Sequence, residues 1–167
     1  MTERVYLSIG SNIGDRAGRL NDALIALNKH PKITIDRVSP VYETQPWGLL
    51  DQENFYNIAT SIQTDLEPMA LLDVLHDIEQ NLGRVRHEHW GPRTVDLDIV
   101  YWGLQEIHLD GLEVPHPRAN ERNFVLRPIR DIAIDDPDIL GVVDRALETG
   151  GDDSWIKKIG EVTLHYD

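Results

Sequence analysis

A chain of 167 residues and 19.0 kDa suits a single domain, and it is long enough to bury a core without disulfides or a structural zinc. With 41% hydrophobic and 27% charged residues it is too apolar for disorder, and no apolar run approaches the roughly 20 residues of a membrane span. The absence of cysteine excludes thiol nucleophiles and Cys-type zinc sites, and 16 basic against 29 acidic residues, a net charge of −13, argue against a nucleic-acid partner.

The chain start reads directly into a strand at Val5–Ile9, without a basic n-region, so no signal peptide is expected and the cytoplasm is the expected compartment. A turn at Gly10–Asp15 leads into a helix to about Asn28, with Ala17, Leu20, Leu24 and Leu27 on one face. Thr34–Tyr42 reads as a second strand interrupted at Pro40, then comes a loop over 43–53, and Phe55–Gln63 is a third strand. Pro68 sits where a first helical turn tolerates it, and that helix places Leu71, Leu75, Ile78 and Leu82 on one side before Gly83 ends it. Residues 84–94 are a polar, Gly-Pro-containing loop, and Val95–Trp102 is a fourth strand. The order β-α-β-β-α-β predicts an α+β fold of the ferredoxin-like kind, an antiparallel sheet with its helices on one face. A short helical piece follows at 121–131. The stretch Asp131–Asp153 carries eight acidic residues against Arg145 alone, so residues 132–167 are expected to form a peripheral acidic, partly helical extension to a 1–131 core, all within one domain.

Chemistry concentrates in Trp90-Gly91-Pro92-Arg93-Thr94-Val95-Asp96-Leu97-Asp98-Ile99. Alternate strand residues share a face, so Asp96 and Asp98 point one way while Val95, Leu97 and Ile99 point the other. Two carboxylates held together repel unless a cation separates them, and Mg²⁺ prefers one or two carboxylates plus phosphate oxygens. The plain alternative is a pair of solvated carboxylates on an exposed strand. Seven of the basic residues fall in two stretches: Arg84, Arg86 and Arg93, then Arg118, Arg122, Arg127 and Arg130. Such local clusters in an acidic protein suit a small anion, or else two solvated faces. Phe55 and Asn57 also share a strand face, where a ring could stack on a flat heterocycle and an amide could pair with its edge; a core aromatic beside a turn asparagine is the other reading. The chain has no P-loop, dinucleotide fingerprint or nucleophile elbow.

Taken together and in order, Gly10-Ser11-Asn12, Tyr42-Glu43-Thr44 with Trp47-Gly48, Asn57, Glu79, Gly83-Arg84, the 90–99 run, Val114-Pro115-His116 and Glu121-Arg122 to Phe124 resemble the 6-hydroxymethyl-7,8-dihydropterin pyrophosphokinases of folate biosynthesis, over about Val5–Asp131. The resemblance implies transfer of the β,γ-diphosphoryl group of ATP to the pterin hydroxymethyl oxygen. Asp96 and Asp98 would bind two Mg²⁺ ions, and Arg84 and Arg93 would act on the phosphates. Phe55 and Phe124 would sandwich the pterin, Asn57 would pair with its edge, helped by backbone groups of Thr44 and Trp47, and Trp90 would close over the reacting groups. Glu79, Arg86, Ile99, His116 and Arg122 would join Arg84 and Arg93 in holding ATP. Pro117, Gly111 and Trp47 depart from the residues some family members carry there. The expected partners are these two substrates, with no nucleic acid and no membrane, for a monomer able to associate with other folate enzymes. The rival readings are another Mg²⁺-dependent phosphoryl or nucleotidyl transferase on the same kind of sheet, and a ligand-binding module without catalysis.

Overall fold

The computed structural model describes residues 3–11, 15–44, 54–84, 95–150, 152, 154–159 and 164. The first strand, β1 (Glu3–Ser11), runs past the glycine expected to end it. Its alternation sorts the molecule: Val5, Leu7 and Ile9 join one apolar cluster, whereas Tyr6 belongs to a second cluster on the opposite face. Helix α1 (Arg16–Lys29) starts at an Asp15 cap whose Oδ1 accepts from the Gly18 amide at 3.0 Å, and it buries Leu20, Ala23, Leu24 and Leu27.

The interrupted strand is β2 (Ile33–Val38) and β3 (Val41–Thr44), pairing with separate halves of β4 (Phe55–Thr64). Proline has no amide hydrogen to give a ladder. At this break Ser39 takes over: its amide donates to the Ala59 carbonyl, and its hydroxyl accepts from the Ala59 amide, both at 2.9 Å. Helix α2 (Pro68–Arg84) and strand β5 (Asp96–Trp102) complete the expected βαββαβ unit. A small hairpin, β6 (Ile107–Leu109) and β7 (Leu112–Val114), leads to a 3-10 turn at Ala119–Glu121. The chain then forms α3 (Asn123–Ile132), α4 (Pro137–Thr149) and β8 (Ile156–Ile159).

The main sheet has the order β5-β1-β4-β3-β8, with β2 also on β4, and every pair is antiparallel. Counting β2 and β3 as one strand gives the order of the split βαβ arrangement. On one face α1 and α2 bury Leu24, Leu27, Leu71 and Leu75 against Leu7, Ile58 and Ile62. Truncating one of these fully buried side chains to alanine costs about 2–5 kcal/mol.

The second face is not bare. Leu126, Ile129 and Ile132 of α3 and Ile139, Val143 and Ala146 of α4 pack there against Tyr6, Ala59, Val100 and Tyr101. They cover part of that face, and the uncovered part forms a cavity. The stretch read from composition as a peripheral acidic extension thus supplies a packed helix, and β8 pairs with β3 at the sheet edge. Its charges mask an ordinary three-to-four apolar spacing. Among the described residues no helix is long and apolar enough to cross a membrane.

Candidate active site

The uncovered floor can be read as rows of paired residues. Asp98 faces Ser8, which faces Ala59; Asp96 faces Gly10, which faces Asn57; and Phe55 faces Thr44. Helix α3 stands beside this floor. The resulting cavity of about 230 Å³ is lined from the floor by Gly10, Thr44, Phe55, Asn57, Asp96 and Asp98 and from the side by His116, Arg122 and Phe124. Eight residues named from sequence therefore share one space: Thr44, Phe55, Asn57, Asp96, Asp98, His116, Arg122 and Phe124.

A bulge shapes one end. Leu7 pairs with Ile99 but Tyr6 pairs with Tyr101, so the register passes over Val100. The Val100 carbonyl instead accepts from the His116 amide at 3.0 Å, which ties the segment after β7 to the site. His116 Nδ1 accepts from the Arg118 amide at 3.2 Å, so in the neutral ring the proton sits on Nε2. Burial lowers the imidazole below its ordinary value of 6.5; the Asp98 charge pulls it back up, and Arg122 and Arg118 add to the lowering. His116 is a neutral donor at neutral pH. Burial also lowers Arg122, with Arg118 acting in the same direction and Asp98 against it. Its guanidinium lies 5.5 Å from the centre of the Phe124 ring, so one cation and one ring are held together at the mouth of α3.

Asn57 is buried, and its Nδ2 donates to Thr44 Oγ1 at 2.8 Å. That bond fixes which end of the amide faces which way. The Thr44 hydroxyl thus orients the amide, and Thr44 lines the cavity itself.

A second cavity of about 540 Å³ wraps the edge of β5, where α2 and the β6–β7 hairpin approach it. Glu79 and Ile99 lie here, together with Asp98 and His116, which line both spaces. Glu79 Oε2 accepts from the Leu97 amide at 2.8 Å, so one of the named residues holds the start of β5 in register beside the aspartates. Sequence reading missed Ser8, Gly10, Val100 and Val125, which also line the first cavity. Gly10 carried a signal, since it stands opposite Asn57 once the strands are paired.

Trp47, Arg86, Trp90 and Arg93 lie outside the described residues, as do the loop stretches 45–53 and 85–94 that contain them. Arg84 is the last residue of α2, and its side chain is likewise outside them.

The family model for 7,8-dihydro-6-hydroxymethylpterin-pyrophosphokinase (HPPK) matches residues 6–134. The chain belongs to this family. A 2-amino-4-hydroxy-6-hydroxymethyldihydropteridine pyrophosphokinase of Bacillus subtilis is 46% identical over 132 residues, covering 79% of each chain. The bifunctional protein FolKE of Lactococcus lactis subsp. cremoris is 48% identical over 134 residues, and there the match spans 80% of this chain but 38% of the relative. A Plasmodium falciparum HPPK-DHPS crystal structure superposes with a TM-score of 0.64 at 15% identity, over 89% of this chain and 44% of that one. The HPPK fold is therefore the α+β arrangement expected, with its antiparallel sheet and, among the described residues, four α-helices.

Mg²⁺ chemistry fits the residues present. Asp96 and Asp98 offer hard oxygens on one strand face, roughly 7 Å apart along the strand. Among the described residues no group of three possible ligands forms. A pair of carboxylates leaves coordination positions for water and phosphate, which is how Mg²⁺ is commonly bound.

Proposed function

We propose that this HPPK chain catalyses its family's reaction: the hydroxymethyl oxygen of 6-hydroxymethyl-7,8-dihydropterin attacks the β-phosphorus of ATP, the bond to the α-phosphate oxygen breaks, and AMP leaves. The products are the pterin diphosphate, AMP and the hydroxyl proton. The observation that carries this reading is the position of Asp98 and His116 on the walls of both cavities. A flat acceptor in one space and a nucleotide in the other would meet at that point.

In the first cavity Phe55 and Phe124 provide faces for a pterin ring, while Asn57 offers an amide already oriented by Thr44. Glu79, Ile99 and His116, on the second cavity, would hold the nucleotide, Arg122 would reach it from the wall of the first, and Arg84, Arg86 and Arg93 would be further phosphate contacts. Asp96 and Asp98 would hold two Mg²⁺ ions. When bound, Mg²⁺ neutralises phosphate charge and orients the oxygens for in-line transfer. The chain's own contribution is positioning: strand pairing fixes the Asn57 amide, the carboxylates and the Phe55 ring on one floor, and α3 holds the Phe124 ring beside it, before either substrate arrives. Neutral His116 can donate Nε2–H to an anionic oxygen without giving up a proton. Burial strengthens Arg122 as a charge partner by removing competing water. Trp47 and Trp90 complete the proposed pterin site.

Relatives that join an HPPK segment to further sequence, as in the bifunctional FolKE protein, support association of this monomer with other enzymes of folate synthesis.

The test is product analysis with ATP, Mg²⁺ and 6-hydroxymethyl-7,8-dihydropterin. One AMP per pterin diphosphate is the expected outcome. ADP as the nucleotide product, or pterin binding without turnover, would overturn the reading.

A further inference from the structure

Helix α3 carries Phe124 on its first turn, yet Arg122 at its N-cap makes no side-chain capping hydrogen bond. The first amides of a helix need acceptors, and a frayed first turn would release the residues it carries. The acceptor comes from a distant part of the chain. Asp152 Oδ2 accepts from the Asn123 amide at 2.9 Å. The buried Asn123 side chain donates through Nδ2 to the Ser154 carbonyl at 3.0 Å, and the Ser154 amide donates to Asp152 Oδ1 at 2.8 Å. Asn123 is thus held on both its backbone and its side chain by residues 152 and 154.

The same segment then joins the edge of the sheet that forms the floor. In β8, Ile156 pairs with Thr44, Lys157 with Glu43 and Lys158 with Tyr42. Lys158 Nζ lies 3.5 Å from Asp131 of α3 and 5.6 Å from the centre of the Tyr42 ring, and the Tyr42 hydroxyl donates to Asp131. One stretch of chain therefore holds both α3, which presents Arg122 and Phe124, and β3, which presents Thr44. All of it lies beyond residue 134, where the family match ends.

We propose that residues 152 and 154–159 are a clamp that sets the distance between the Phe124 wall and the Thr44–Asn57 floor, and that Asp152 is a positioning residue for the flat acceptor substrate. The substrate identity rests on the function proposed above; the clamp itself rests on the contacts just described. The nucleotide-side residues Glu79 and Ile99 lie on α2 and β5, and β5 is at the opposite end of the sheet order from β8, so the two substrates should respond differently.

The experiment uses the full chain as wild type, Asp152→Ala, Asp152→Asn, Asn123→Ala and the Asp152→Ala/Asn123→Ala double variant. Asp152→Ala should raise the KM for the pterin about tenfold and the KM for ATP distinctly less, through Arg122 alone, at a temperature where the variant is folded. Asp152→Asn keeps an acceptor oxygen and should restore part of the loss. The double variant should be no worse than the poorer single variant, since the two residues act as a unit. An unchanged pterin KM in folded Asp152→Ala, or equal rises in both KM values, would overturn the proposal. Wild-type chain that forms no AMP would fail the functional reading alone. The clamp is then decided by amide exchange: loss of protection at residues 123–125 in Asp152→Ala supports it, and unchanged protection refutes it.

Discussion

Gly10 faces Asn57 across the β1–β4 ladder, and a Cβ at position 10 would lie 2.5 Å from Asn57 Oδ1. The same glycine faces Asp96 on its other side. Its missing side chain is therefore what keeps the floor open between the amide and the carboxylates. Asn57 cannot swing away freely, because it is buried and its Nδ2 is engaged by Thr44.

Gly10→Ala should consequently displace the amide and break its bond to Thr44. The expected cost is about 1–3 kcal/mol of stability, the usual range for overpacking. The pterin KM should rise at least tenfold, with little change in the KM for ATP. Steady-state kinetics on both substrates checks this. An alanine variant with wild-type pterin KM would show that the amide can move without consequence.

Much of this floor was legible from period-two alternation alone. Asp96 and Asp98 opposite Leu97, and Phe55 with Asn57, follow from strand parity, and the helices follow from their apolar stripes. What parity could not reveal is pairing between strands, so Gly10 read as a strand end rather than as the partner of Asn57. The bulge that releases the Val100 carbonyl to His116 leaves no mark in composition. Asp152 is further still from legibility: its partner is 29 residues away, and the seven other carboxylates of its stretch look alike in sequence. The aspartate pair and its arginines stood out because like charges at fixed spacing need a reason, whereas a tertiary cap needs only one carboxylate at the right place.

Asp96 and Asp98 should separate by degree. Asp98 lines both cavities, whereas Asp96 lines the first. Each aspartate-to-asparagine change should lower turnover on the order of 10²-fold or more, because several kcal/mol of transition-state stabilisation depends on the metal. Asp98→Asn should also raise the KM for ATP more than Asp96→Asn does. Folding should be little affected, since Asp98 is exposed and Asp96 half-buried. Thermal melts alongside rate measurements decide the matter, and chelation of Mg²⁺ should mimic both variants without lowering the melting temperature.

Glu79 offers a different test, because its carboxylate serves the backbone of the strand that carries the aspartates. Removing it in Glu79→Ala leaves the buried Leu97 amide without that acceptor, at a cost of about 1–3 kcal/mol. Glu79→Gln retains an oxygen that can accept and should recover most of the stability. Denaturant titration of both variants checks the pair. Equal stability losses in the two would mean that charge, and not the bond to Leu97, is what matters at this position.

The Asp152 cap gives stability a pH signature whose direction can be worked out. Burial raises the Asp152 carboxyl, but the hydrogen bonds from Ser154 and Asn123 outweigh it and bring it below its ordinary value of 3.8. A carboxylate with a lowered folded value binds fewer protons in the folded state than in the unfolded one. Its contribution is therefore fully present above the unfolded value near 3.8 and is lost as pH falls through the folded value. At neutral pH the cap is intact. As the pH falls below about 4 the wild type should lose stability faster than Asp152→Asn, which has no proton to gain there. Urea unfolding measured across that window tests it. Parallel slopes for the two chains would mean that the carboxylate titrates alike in the folded and unfolded states, and that the hydrogen bonds to Asn123 and Ser154 do not outweigh its burial.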